Sequence, residues 1–590
     1  MHLSRVQIRN YRNFADLDVA IGEDLVLVGE NRVGKSNFIQ ALRLVLDASL
    51  PDSARQLKLS DIWDGFEGDD PKVEVHLDFT DFDDDNDLTT LLTDYRLAKN
   101  HRVARLSYAL GKRAGLKGPP KSEADYEFKV YGGGDEKRSV GAHVRRRLCL
   151  DVLSALRDAE TELTNWRSSP LRPLLEAALR DVPKTDLEEA AEALNEATAA
   201  LAQMAPVTAL ESSLRQKMEA LAGPAHDVKA KFGFAPSDPV RLFRAIKLLI
   251  DEGKRGLNEA SLGSANLALL TLKLAEFEWR QQANERNYSF IAVEEPEAHL
   301  HPQLQRKIFR ALLGPGDPRS SLLLTTHSPN IASVAPLPSI VLLKDEGEDG
   351  TKGYSLADLK LDNDDLEDLQ RYLDVTRAEI LFCRGVIFVE GDAEVALVPA
   401  FARSLGHDLD ALGVSVCSVA GTNFKPYARL AAALALPFAV ITDWDPRRSE
   451  KAFGWQRSIN LINAIRKARG EAELSAAGKQ SLQADEARLR KMAQEHAIFL
   501  NDSTLEIELA ADQDLLQPLL DVLDEQQFGP KLKARLAKWR SGEDIDPTDL
   551  LLTIGYVSKG RFATQLADAF KGLDPPDYIG EAIAHVVKRV

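Results

Sequence analysis

The chain has 590 residues, 44% of them apolar and 28% charged, with a formal net charge of −17. That length exceeds what one hydrophobic core supports and implies about three to five domains. No run approaches the roughly 20 apolar residues that cross a bilayer, and the acidic balance argues against a protein coated all over in nucleic acid while leaving room for a local basic groove.

The opening segment MHLSRVQIRNYRNF alternates polar and apolar residues and lacks the apolar core of a signal peptide. Three scattered cysteines, Cys149, Cys383 and Cys417, give neither a disulfide framework nor a zinc cluster. A cytoplasmic protein without a membrane partner is expected. VQI (6–8), LDVAI (17–21) and LVLVG (25–29) read as short strands, FIQALRLVL (38–46) has helical apolar spacing, and KVEVHLDF (72–79) alternates as a strand. From about 150 to 222 the texture is helical and Ala-rich. Leu187, Leu194 and Leu201 fall seven apart, Leu210, Leu214 and Leu221 follow, and Thr185 or Asp186 serves as N-cap. Such an insertion packs on a partner subunit or on the chain's own core. Strands return at YSFIAVEE (288–295), SLLLTTHS (321–328) and IVLLKD (340–345). A second α/β series, GVIFVEG (385–391), VSVCSVAG (414–421) and FAVITDWD (438–445), follows a boundary near 350–380 and leads into a mostly helical tail.

Gly29-x4-Gly34-Lys35-Ser36 satisfies the phosphate-loop pattern between an apolar strand and an amphipathic helix. Its glycines let backbone N–H groups close around phosphates, Lys35 supplies charge to the β and γ oxygens, and Ser36 offers a hydroxyl to Mg²⁺. Asn31 and Asn37 belong to the same expected ATP contact set. FIAVEEPEAHLHP (290–302) supplies the acidic partner: Glu294 would hold Mg²⁺, and Glu295 would orient or deprotonate the attacking water. His299 and His301 are only two metal-type ligands with no third nearby, so that loop reads instead as a contact with a neighbouring subunit.

Further along, Glu390-Gly391-Asp392-Ala393-Glu394 ends one apolar strand and Asp443-Trp444-Asp445 ends another. Acids at strand ends converge on one edge of a parallel sheet. Four of them there repel unless divalent cations neutralise them, and an all-oxygen set points to Mg²⁺ or Mn²⁺. STLEIEL (503–509) adds Glu506.

The glutamate-rich loop, followed by Thr325-Thr326-His327-Ser328-Pro329, resembles the ATPase heads related to ABC transporters, the RecF group and the structural-maintenance-of-chromosomes proteins. That resemblance implies that His327 senses the γ-phosphate. It also implies that Ser261-Leu262-Gly263-Ser264-Ala265-Asn266 is a degenerate signature loop, through which Ser261 and Gly263 would meet the nucleotide of a second copy. Arg32 stands where that family usually has glycine. The acidic strand ends, with Gly421 between them, resemble the Toprim fold. No zinc ribbon and no tyrosine in a cleavage context support a topoisomerase or primase.

An ATPase head followed by Toprim, with Thr376-Arg377-Ala378-Glu379 before it and a KGRFA segment after it, resembles the OLD (overcoming lysogenisation defect) family, to which the Gabija nuclease subunit belongs. The resemblance implies an α/β fold: an ABC-type head (1–150 and 226–365) with a helical, dimerisation-like insertion (151–225), then a Toprim domain with a helical extension (366–590). It also implies an ATP-binding DNA endonuclease or nickase in which Glu390, Glu394, Asp443, Asp445 and Glu506 share two metals. Glu390 would alternatively act as base, and Lys559 would stabilise the phosphate charge, with Ser503 and Glu508 contributing from outside. Expected partners are DNA, a second copy or a higher assembly, and a helicase; expected pathways are anti-phage defence or DNA repair. The alternative is an ATP-driven DNA clamp with a silent Toprim domain.

Overall fold

The computed structural model describes residues 1–153, 169–222, 246, 248–250, 252, 254–256, 259–283, 285–314, 319–357, 367, 369–371, 373–375, 377–446, 451–557 and 559–590. In chain order its strands are β1 (His2–Tyr11), β2 (Phe14–Ala20), β3 (Leu25–Gly29), β4 (Val73–Thr80), β5 (Arg96–Leu97), β6 (Asn100–Lys112), β7 (Tyr126–Gly132), β8 (Asp135–Ser139), β9 (Leu148–Leu153), β10 (Leu249–Ile250) and β11 (Arg255–Gly256). They continue as β12 (Tyr288–Glu294), β13 (Ser320–Thr325), β14 (Ile340–Asp345), β15 (Thr351–Ser355), β16 (Gly385–Val389), β17 (Val414–Ser418), β18 (Phe438–Thr442) and β19 (Ile498–Leu500).

The chain folds as two compact units. Met1–Leu153 and Tyr288–Val590 make the first, so both α/β series belong to one body, and Ser154–Asn287 makes the second. Among the described residues, three sheets build the first unit. An antiparallel sheet runs β2-β1-β4-β6-β7-β8, with β5 on the flank of β6. The next runs β15-β14-β3-β13-β12-β9 and is parallel except for its edge strand β15. The third, β17-β16-β18-β19, is parallel throughout.

Residue patterns explain the division. In β4, Val73, Val75, Leu77 and Phe79 are fully buried while Glu74 and His76 are half-buried, the alternation of a sheet with one covered face. LVLVG, GVIFV and FAVIT are buried at every residue, as parallel strands sandwiched by helices must be. The helix Lys35–Leu46 sends Phe38, Leu42 and Val45 into the core shared by the first two sheets. Phe290 lies in the same core, its ring 5.9 Å from that of Phe79 and 5.0 Å from that of Tyr288.

Among its described residues the second unit is mainly helical, with Leu171–Arg180, Lys184–Ala202, Ala205–Ala222 and Leu262–Gln282, plus the ribbon β10–β11. Its small apolar cluster centres on Ala265 and Leu269. Leu210 and Leu214 are exposed, and the side chains of Leu194, Leu201 and Leu221 lie outside the described residues. Among the described residues no helix is long and apolar enough to cross a membrane, and the three cysteines are free thiols.

Phe290→Ala should leave a cavity at the junction of two sheets and lower unfolding free energy by about 3–5 kcal/mol, read from urea denaturation of the full chain.

Candidate functional site

β3 ends at Gly29, whose φ of 149° and close approach leave no room for a side chain: a Cβ there would sit 2.5 Å from the Leu343 carbonyl oxygen. The loop then turns through Arg32 at φ 70°, a conformation that favours glycine and is occupied here by a bulky residue, and through Gly34 at φ 96°. Arg32 therefore keeps the backbone of the glycine it replaces. Behind the loop, Asn13 Nδ2 donates to the Val33 carbonyl at 2.7 Å, Asn37 Nδ2 donates to Asn13 Oδ1 at 2.7 Å, and Arg12 Nη1 donates to Asn37 Oδ1 at 2.6 Å. Asn37 thus braces the loop from behind, while Asn31 is exposed at its tip.

Lys35 is buried, and its ammonium donates to the carbonyls of Gly29 at 3.0 Å and Glu30 at 2.8 Å. Burial pulls its pKa down to about 8 against the opposing pull of Glu295 and Glu297. Across the sheet, Ser36 Oγ lies 3.4 Å from Glu294 Oε2, which joins the hydroxyl and carboxylate expected around Mg²⁺. Glu295, at φ 44°, sits 3.7 Å from His327 Nε2. Burial, then the charge of Lys35, lowers the His327 pKa, so the imidazole is neutral near pH 7.

Glu297 has a role that its motif position did not reveal. Its carboxylate accepts from the His327 backbone N–H at 2.6 Å and from Thr326 Oγ1 at 2.9 Å, which fixes the histidine to the glutamate loop. Burial raises its pKa. His301 caps the helix Pro302–Leu312, its Nδ1 accepting from Gln303 N–H at 3.3 Å. Ser261 likewise caps the helix Leu262–Gln282, accepting from Ser264 N–H at 3.2 Å, and Gly263 lies in the first turn.

The acids of the third sheet follow from its strand order. β16 is central, with β17 on one side and β18 on the other, so the crevice between the C-terminal ends of β16 and β18 is a topological switch point. Glu390 leaves β16 there and Asp443 leaves β18. Gly421, at φ 132°, donates its N–H to the Glu390 carbonyl at 2.8 Å. Glu394 turns back from the following helix to accept from Gly391 N–H at 3.2 Å. Burial, then Glu390 and Glu506, raises Glu394 to about 7. Burial, then Glu390 with Glu394 and Asp445, raises Asp443 to about 8. Glu390 and Glu506 thus act on Glu394, and Glu390, Glu394 and Asp445 act on Asp443.

Asn501, Tyr578 and Arg457 complete this edge and were not anticipated. Asn501 follows the short strand β19. It donates to Asp443 Oδ1 at 2.5 Å and accepts from Trp444 N–H at 2.8 Å. Tyr578, buried and paired with Asn501, has its hydroxyl pKa pushed far up by burial and then by Asp443. Arg457 Nη1 donates to Glu390 Oε1 at 2.9 Å, and its Nη2 donates to Asp445 Oδ2 at 2.7 Å. Asp445 N–H donates to the Ser503 carbonyl at 3.2 Å, and Glu508 accepts from Asp502 N–H at 3.0 Å, so both expected outer residues shape the loop around the cluster. Lys559 opens the helix Lys559–Ala569, but its side chain lies outside the described residues, as does Thr376.

An all-carboxylate set with two upward-shifted acids fits hard divalent cations. Among the described residues no three metal-type side chains stand at the spacing of one ion's ligands. The carboxylates would therefore have to rotate to share an ion.

Residues 381–445 match the family described as "Overcoming lysogenization defect protein-like, TOPRIM domain", and residues 25–333 match "AAA domain, putative AbiEii toxin, Type IV TA system". The chain is similar to the OLD nuclease of Thermus scotoductus, 24% identical over 466 residues that cover 75% of this chain and 82% of that protein. It is similar to the endonuclease GajA of Bacillus cereus, 26% identical over 219 residues, 33% of this chain and 32% of that one. It shares 36% identity with the solved C-terminal region of the Burkholderia pseudomallei OLD protein, covering 35% of this chain and 98% of that one at a TM-score of 0.31.

The raised acids fix the sign of a pH effect. Between about pH 4, where unfolded carboxyls release their protons, and the folded values of about 7 for Glu394 and about 8 for Asp443, the native state holds the extra protons. Stability in metal-free buffer should therefore fall as pH rises through that window. Melting temperatures across it, with EDTA and with Mg²⁺, should diverge most at the alkaline end.

Proposed function

The chain belongs to the OLD (overcoming lysogenisation defect) family, an ATPase head joined to a Toprim nuclease domain, and on that premise we propose that it is a divalent-metal-dependent DNA endonuclease or nickase controlled by its ATPase. The observation that carries this reading is geometric: Glu390 and Asp443 leave the adjacent strands β16 and β18 at the switch point of the third sheet, with Asp445 on the same turn as Asp443 and Glu394 folded back onto Gly391 N–H. Glu390, Glu394, Asp443, Asp445 and Glu506 would hold two ions, Mg²⁺ or Mn²⁺. Such ions, when bound, supply Lewis acidity to the attacking water and to the departing 3′ oxygen.

The remaining work falls to the chain itself. Asn501 occupies Asp443 Oδ1 and leaves the second carboxylate oxygen for an ion. Glu390 is available as ligand or base, and Lys559 is the candidate cation for charge that develops on the phosphate. In the head, Lys35 and Ser36 hold the triphosphate and its Mg²⁺ together with Glu294. Glu295 orients the hydrolytic water, and neutral His327 reports on the γ-phosphate through the Glu297 tether. Ser261 and Gly263 would complete the nucleotide site of a second copy, which makes a homodimer or higher assembly the working form. A cytoplasmic setting, a helicase partner and a role in anti-phage defence or DNA repair are proposed on the likeness to GajA and the OLD nucleases.

One observation favours the second reading, a DNA clamp with a silent Toprim domain: no three ligands are already gathered among the described residues. Plasmid cleavage with Mg²⁺ or Mn²⁺, with and without ATP, separates the two. Asp443→Ala and Glu390→Ala should reduce cleavage to background while ATP affinity stays unchanged; normal cutting by either variant removes the site assignment. Lys35→Ala should abolish ATP binding, and an unaltered ATP affinity would dismiss the head site.

A further inference from the structure

Arg457 lies inside a cluster of acids, and no motif accounts for it. Its side chain is 13% exposed. Nη1 donates to Glu390 Oε1 at 2.9 Å, to Thr442 Oγ1 at 2.6 Å and to the Asp443 carbonyl at 2.9 Å, while Nη2 donates to Asp445 Oδ2 at 2.7 Å. Glu390 Oε1 takes two further donors, Thr442 Oγ1 at 2.6 Å and Asp443 N–H at 3.0 Å. One oxygen of each acid is thus committed to the protein. The other, Oε2 of Glu390 and Oδ1 of Asp445, has no donor among the described residues.

A guanidinium among acids is either a plug that leaves when metal arrives or a fixed part of the frame. The backbone decides between them. The helix Phe453–Ala468 that carries Arg457 is docked on the acidic turn itself: Phe453 N–H donates to the Asp445 carbonyl at 3.2 Å and Gly454 N–H to the Trp444 carbonyl at 3.0 Å. Gly454 is pressed so closely that a Cβ would lie 2.7 Å from Trp444 Cε3. Two of the four acceptors, a hydroxyl and a carbonyl, are not metal-type carboxylates, and they hold the fork whatever the acids do. A planar fork suits this task because its two nitrogens can span two carboxylates at once.

We propose that Arg457 is a positioning residue of the metal site: a fixed cation that binds one oxygen each of Glu390 and Asp445 and so turns the free oxygen of each toward divalent ions. Its charge also offsets one of the five carboxylates, leaving a net charge that two divalent cations match. The inference rests on the nuclease reading above and adds to it the residue that sets ligand geometry and charge.

Manganese binding to the nucleotide-free full chain, measured by calorimetry, tests it in wild type, Arg457→Ala, Arg457→Lys and Asp443→Ala. Arg457→Ala should weaken Mn²⁺ affinity by roughly 10–100-fold, the usual cost of losing a group that orients metal ligands. Arg457→Lys, which restores charge without the fork, should recover part of that loss, and ATP affinity should stay the same in both. Should Arg457→Ala fail to fold, Arg457→Gln takes its place with the same expected weakening. Binding by either neutral variant as tight as wild type, or tighter, overturns the proposal and marks Arg457 as a competitor of metal. A wild type that binds no more Mn²⁺ than Asp443→Ala instead removes the parent nuclease-site reading.

Discussion

Like charges gathered at the end of a parallel sheet repel one another, and much of the surrounding structure is arranged to contain that repulsion. At low effective dielectric each pair of carboxylates a few ångströms apart costs several kcal/mol unless something answers it. The chain answers with directional donors: a hydroxyl, a backbone N–H and a guanidinium on Glu390, an amide on Asp443, and a second guanidinium nitrogen on Asp445. Arg490 adds support from outside, lying 4.4 Å over the Trp444 ring and donating to the Asn501 carbonyl at 3.0 Å. The head differs: its buried ammonium donates to carbonyl dipoles while Glu295 and Glu297 act on it from the facing loop. The acidic surplus belongs to the nuclease sheet.

Much of this was legible because the chemistry lies in short contiguous motifs. LVLVGENRVGKS and FIAVEEPEAHLH announce their strands through unbroken apolar runs, and the acids sit at the run ends. The residues that hold those acids were not legible. Arg457 is fourteen positions beyond Asp443 on a helix with no distinguishing pattern, and Tyr578 comes from near the C-terminus. Asn501 carried the best available signal, a polar residue closing the run AIFL, but β19 is only three residues long. The antiparallel strands between 96 and 139 escaped for other reasons. β6 is buried at consecutive residues from Leu106 to Leu110, which breaks the alternation, and β8, DEKRS, is an edge strand with no apolar residue at all.

The two sites share a body, and the links between them are specific. Glu30, whose carbonyl receives Lys35, carries an ion pair at 3.4 Å to Arg384, the residue immediately before β16 and hence at the far end of the strand that delivers Glu390. Lys344, next to the β14 residue paired with Gly29, donates to the Ala435 carbonyl at 3.1 Å, just before β18. Both partners of the Arg384 pair are half exposed, so it contributes at most about 1 kcal/mol. It is a tether between the phosphate loop and the nuclease sheet rather than a lock.

The second unit enters the chain between β9 and β12, which lie side by side and parallel in the head sheet. A parallel crossover needs only a dozen or so residues to travel back along its strands, whereas Ser154–Asn287 occupies this one. Because closure entropy grows only with the logarithm of loop length, most of that segment adds little to the cost of forming the sheet. Closure entropy alone therefore sets little limit on the length of chain at this crossover, and the pairing of Leu148 with Tyr288 through Leu153 with Val293 is compatible with a whole folded unit between the two strands.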